Sequence, residues 1–102
     1  MENLQRLQRW YRDRCDGDWE NSFGVRIETI DNPGWLLRVD LANTPLEGLV
    51  LERQLRDSED PARWLDYGSD GSEFKGACGP EGLDSLIGAL MEWAERTQVN
   101  PV

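Results

Sequence analysis

A chain of 102 residues is short enough for one core, which starts to split only beyond about 250 residues, so residues 1–102 are read as a single domain. Twenty Asp and Glu against eleven Lys and Arg give a net charge of -9, a field that repels phosphates and argues against general nucleic-acid binding. The sequence has no His, which excludes imidazole catalysis and His-ligated metal, and its five Trp supply the apolar burial a disordered chain lacks.

Leu4, Leu7, Trp10 and Tyr11 follow steps of three and four and predict a first helix with Arg6, Arg9, Arg12 and Arg14 on its polar arc. Residues 1–15 carry +2 and the remainder -11, so charge is segregated along the chain. Asp16-Gly17-Asp18 should end this helix. From Phe23 to Ile30 the period becomes two, with Phe23, Val25 and Ile27 on one face and Arg26 and Glu28 on the other. Asp31-Asn32-Pro33-Gly34 is a turn signal, and Trp35, Leu37, Val39 and Leu41 then alternate with Arg38 and Asp40 to complete a hairpin. Leu49, Leu51, Arg53 and Leu55 read as a half-exposed third strand. A fourth strand at Trp64 to Tyr67, a turn at Ser69-Asp70-Gly71-Ser72 and a short strand around Phe74 follow. Gly76, Gly79 and Gly82 should loosen the chain before a last helix, from Pro80 or Leu83 to about Thr97, striped by Leu83, Leu86, Ile87, Leu90, Trp93 and Ala94.

The fold class is therefore α+β: a single antiparallel meander sheet of four or five strands with the N-terminal and C-terminal helices on one face. The opposite face, with Arg26, Glu28, Arg38 and Asp40, is solvent or partner surface.

Three features of the sequence bear on chemistry. Asp13, Asp16, Asp18 and Glu20 form a dense carboxylate group, but DGDWE lacks the ligand positions of a twelve-residue calcium loop, and no metal is expected. A paired-carboxylate hydrolase could be built from such acids, yet twenty of them in a small domain make close pairs by chance. Cys78 precedes a predicted helix N-terminus that would favour a thiolate, but no His is present to activate it. Cys15 and Cys78 lie in no CxxC pair and are expected to be reduced in a cytoplasmic protein. No apolar run is long enough to cross a membrane. Trp10, Trp35, Trp64 and Trp93 fall on predicted apolar faces and belong to the core. Trp19, in its acidic turn, is either a lid over the core edge or an exposed anchor of the kind enriched at interfaces.

Several segments in order resemble the immunity protein 53 family of bacterial polymorphic toxin systems: Leu7-Gln8-Arg9-Trp10-Tyr11, Cys15-Asp16-Gly17-Asp18-Trp19-Glu20, Gly24-Val25-Arg26-Ile27-Glu28-Thr29 and Asp31-Asn32-Pro33-Gly34-Trp35. The resemblance thins beyond residue 40 but persists in Leu46-Glu47-Gly48, Phe74-Lys75-Gly76, Cys78-Gly79-Pro80 and Trp93-Ala94-Glu95. Family members often carry His after the Trp-Glu pair. Here that residue is Asn21, so a His-dependent role does not carry over.

The resemblance implies a cytoplasmic immunity protein, not an enzyme, that binds and neutralises a cognate toxin domain without cofactors. An acidic surface suits a basic nuclease toxin, because opposite fields speed association. Partner-contact candidates are Asp16, Asp18, Trp19 and Glu20 in the acidic turn, and Arg26, Glu28, Arg38 and Asp40 on the sheet. The protein itself is expected to be a monomer or weak homodimer. Two other classes remain: a small acidic adaptor of the secretion-chaperone kind, and a metal-dependent carboxylate enzyme. The turn itself is open to two readings, local structure or partner contact.

Overall fold

The computed structural model describes residues 2–98. Helix α1 (Glu2–Arg14) opens with Glu2 and closes with Arg12 and Arg14, the charge order that suits a helix dipole. A four-residue helix, α2 (Trp19–Ser22), follows. Then come β1 (Val25–Ile30), β2 (Gly34–Asp40), β3 (Val50–Arg56), β4 (Leu65–Asp70), β5 (Glu73–Cys78) and the long α3 (Leu83–Gln98).

The five strands form one sheet, antiparallel at every pair, in the order β1-β2-β5-β4-β3. The class is the expected α+β arrangement, but the strand order corrects the continuous meander. β3 lies at the far edge, and β5, the last strand in sequence, fills the middle. The connection after β2 causes this. It crosses the β4–β5 turn, where the Leu41 amide donates to the Ser72 carbonyl at 3.0 Å and the Gly48 amide to the Gly71 carbonyl at 2.7 Å. The Thr44 hydroxyl bonds the Leu41 carbonyl and accepts from the Leu46 amide, and Leu46 is fully buried. That anchored crossing leaves two strand widths open between β2 and β3.

Leu37, Val39, Leu65, Tyr67, Phe74 and Cys78 point from the sheet into a core closed by α3. Phe74 stacks at 6.0 Å between ring centres on Trp93 of α3. Gly76 lets α3 approach closely, since a Cβ there would stand 2.7 Å from Leu86 Cδ1. So Gly76 belongs to a full-length β5 and not to a loosened linker. α1 lies on the same side, against α3, with Leu7 buried and Leu4 and Trp10 packed on the core. Its amino end is held by Asn3, whose amide donates to the Asp84 carbonyl and to Asp84 Oδ2, both at 3.2 Å. Trp35 is partly buried and donates to the Pro80 carbonyl, and Trp64 is half-buried at the β4 entrance.

β3 departs from simple alternation. A bulge sets Glu52 and Arg53 against Gly68 alone, because Leu51 pairs with Ser69 and Gln54 with Tyr67. Leu51 thus packs on the core while Leu55, two positions on in the expected series from Arg53, is 57% exposed. Only glycine fits opposite the bulge: a Cβ on Gly68 would come within 2.9 Å of the Leu51 carbonyl oxygen.

Candidate partner-binding surface

The acidic turn is a self-bonded unit. Gly17 adopts φ +98°, a left-handed conformation that other residues resist, and reverses the chain after α1. Asp16 Oδ1 then accepts from the amides of Asp18 at 2.9 Å and Trp19 at 3.0 Å. Glu20 reaches back to accept from the amides of Asp16 and Gly17 at 3.0 and 2.8 Å. This reciprocal capping holds α2, and the amide donors keep the Asp16 carboxyl below its ordinary range.

The same geometry aims Trp19 inward. Its indole is 4% exposed, donates to the Ala42 carbonyl at 2.8 Å, and sits 6.1–6.2 Å from the rings of Trp10, Tyr11 and Phe23. Trp19 is therefore the lid over the core edge and not an exposed anchor. Phe23 follows it as the end of α2, not as the first residue of β1. Asp16 and Asp18 remain exposed, so the turn shows a short acidic rim around a structural centre.

The helix-free face of the sheet brings together the other four candidates and one residue that sequence reasoning missed. Arg26 stands directly opposite Arg38, and Arg38 directly opposite Lys75, the one Lys of the chain. Three cations thus line up across three adjacent strands. Like charges so placed repel. Yet among the described residues none of the three has an ion-pair partner, and Arg38 Nε is buried against the sheet with no hydrogen-bond acceptor.

Acids flank the row. Asp40 faces Glu73 on one side, with Asp40 also accepting from the Gly24 amide at 2.9 Å. On the other side Glu28 lies opposite Leu36, and Asp66 is held by a two-pronged Arg53 at 2.9 and 2.7 Å, which lowers the Asp66 pKa. Gly68 and Ala77 have so little side chain that the surface dips between Leu36, Lys75, Arg53 and Asp66, a shallow concavity of about 420 Å³. Lys75 was obscured because Gly76 and Gly79 made β5 read as short. The alternation of Phe74, Gly76 and Cys78 inward with Lys75 and Ala77 outward was the available signal.

Both cysteines are free thiols. Cys78 is fully buried, and burial pushes its thiol pKa up, opposite to what an activated thiolate needs. Among the described residues no group of three or more Cys, Asp and Glu is placed to hold a metal ion, and no helix is long and apolar enough to cross a membrane.

The molecule is thus a single α+β sheet with one face covered by helices and the other open, polar and slightly hollowed. The family model described as Immunity protein 53 matches residues 4–95, and the chain belongs to that family of immunity proteins. No curated protein and no solved structure matches it.

Proposed function

We propose that this immunity protein acts in the cytoplasm by binding a cognate bacterial toxin domain through the open sheet face, with the acidic turn as a second, steering patch. The observation that carries the reading is the unpaired row of Arg26, Arg38 and Lys75. Three opposed cations with no ion-paired acid among the described residues, one with a buried guanidinium nitrogen lacking an acceptor, favour carboxylates supplied from outside. The toxin's contact surface therefore presents carboxylates to Arg38 and Lys75 and basic groups to Asp40 and Glu73 beside them.

A metal-dependent nuclease has that layout: acids that hold its metal ions, set among basic residues that hold phosphates. The net charge of -9 would draw such a basic domain in, and the cation row would then cover its acids. The contact region shifts accordingly from an acidic patch to a mixed one. Asp16, Asp18 and Glu20 steer from the second patch, while Trp19 supports the turn from within.

The test is Arg38→Glu with Lys75→Glu, two changes on exposed or half-exposed positions. The double variant should keep its melting temperature, because it exchanges the like-charge pair at 38 and 75 for another while making the contact with Arg26 attractive, and it should lose toxin protection in cells by at least tenfold. Asp16→Asn with Asp18→Asn should slow association and reduce its salt dependence without abolishing protection. Full protection by a folded Arg38→Glu, Lys75→Glu variant would refute the sheet-face reading.

A further inference from the structure

The two edges of the sheet are built differently. β3 is blunted by its bulge and by the charged Glu52, Arg53 and Arg56. β1 has no bulge: six residues, Val-Arg-Ile-Glu-Thr-Ile, with one charge of each sign, pair in unbroken register with β2 and, among the described residues, leave their other side bare. The Asp40 amide donates to the Gly24 carbonyl at 3.1 Å, which sets the alternation along the strand. Gly24, Arg26, Glu28 and Ile30 turn their backbone groups toward β2. Val25, Ile27 and Thr29 turn theirs outward, with no strand beyond them among the described residues.

We propose that β1 pairs with β1 of a second copy of this chain, antiparallel and about a two-fold axis at Ile27. The outward backbone groups are symmetric about that residue. Ile27 exchanges two hydrogen bonds with Ile27 of the partner subunit, and Val25 exchanges two with Thr29 of the partner subunit on either side, so every bare N–H and C=O of the edge is satisfied. The side chains agree with this register. Arg26 and Glu28 flank Ile27 on the open face, so the two-fold sets Arg26 against Glu28 of the partner subunit twice. Within the protomer, among the described residues, neither has an ion-pair partner, and Arg26 faces only Arg38. On the other face Ile27, 38% exposed, meets its own copy. Within the protomer α1 approaches β1 at its Gly24 and Val25 end, where Leu7, Gln8 and Tyr11 line a small hollow. That end of β1 lies away from the axis, so the two copies of α1 stand at opposite ends of the paired strands. The contact is isologous and closes at two subunits, leaving only the blunted β3 edges outside.

A strand-edge contact of this length is small, so the dimer is weak and concentration-dependent. Sedimentation of the full chain over a wide concentration range should show a monomer–dimer equilibrium. Ile27→Pro should give a folded monomer, because the amide it removes faces away from β2. Arg26→Glu and Glu28→Arg should each weaken the dimer by roughly tenfold, since symmetry repeats each like-charge contact. The double reversal, Arg26→Glu with Glu28→Arg, should restore it. A chain that stays monomeric throughout, or a double reversal no tighter than either single one, overturns the proposal. The charge set decides the matter even where the proline variant fails to fold, and none of these readouts depends on toxin binding.

Discussion

At Trp19 the chain buries a large aromatic side chain inside an acidic turn. Replacing it with Ala removes the indole from between Trp10, Tyr11 and Phe23 and leaves the Ala42 carbonyl without its donor. A loss of about 3–5 kcal/mol is expected, read as a large fall in melting temperature, with protection falling only as far as folding does. The carboxylates behave differently. Amides of Trp19 and Asp18 depress the Asp16 pKa, Arg53 depresses that of Asp66, and the amide and hydroxyl of Ser72 depress that of Asp70. A carboxyl whose pKa is lower folded than unfolded contributes stability above the unfolded value and loses it as pH falls through the folded one. The melting temperature should therefore drop as pH falls below about 4. Asp16→Asn should show a smaller drop over the same range by thermal denaturation.

The elements were legible where periodicity was local. Both long helices and the β1–β2 hairpin follow from stripes and a turn signal. What sequence spacing could not carry was pairing between distant strands. Nothing in residues 34–40 announces a partner at 73–78, so the central place of β5 and the alignment of Lys75 with Arg38 were hidden. The bulge was hidden as well. Leu49, Leu51, Arg53 and Leu55 alternate perfectly on paper, but one extra residue opposite Gly68 turns Leu55 outward. Of the candidate contacts, Arg26, Glu28, Arg38 and Asp40 were readable as one face from the period of two. The inward turn of Trp19 depended on capping geometry that composition does not reveal. The bulge gives a sharp check: Gly68→Ala places a methyl against the Leu51 backbone and should cost about 1–3 kcal/mol, measured by denaturant unfolding.

Across the molecule, the ends of the described chain are stitched together. Asn3 bonds Asp84 across 81 residues, and Arg6 joins Asn3 at 2.7 Å and Glu95 at 2.8 Å. Part-buried and shared among several groups, the Asn3 bonds should matter more than the exposed Arg63–Glu81 pair at 3.3 Å. Asn3→Ala is expected to cost about 1 kcal/mol. Arg63→Ala should stay within about 0.5 kcal/mol, the two compared by chemical denaturation under identical conditions.

The central position of β5 also sets a timetable. As the chain leaves the ribosome, β1 and β2 emerge first and β3 and β4 next, but neither hairpin has the other beside it until residues 73–78 arrive to join them. α3, which covers the joined sheet, emerges later still. Stable structure therefore comes late, in a single closing step once β5 and α3 are made, and a chain interrupted before them would hold two loose hairpins with their apolar sides bare. For an immunity protein, which must be folded before its toxin acts, this makes chains that include β5 and α3 the only useful ones, and it makes shorter chains natural targets for proteolysis.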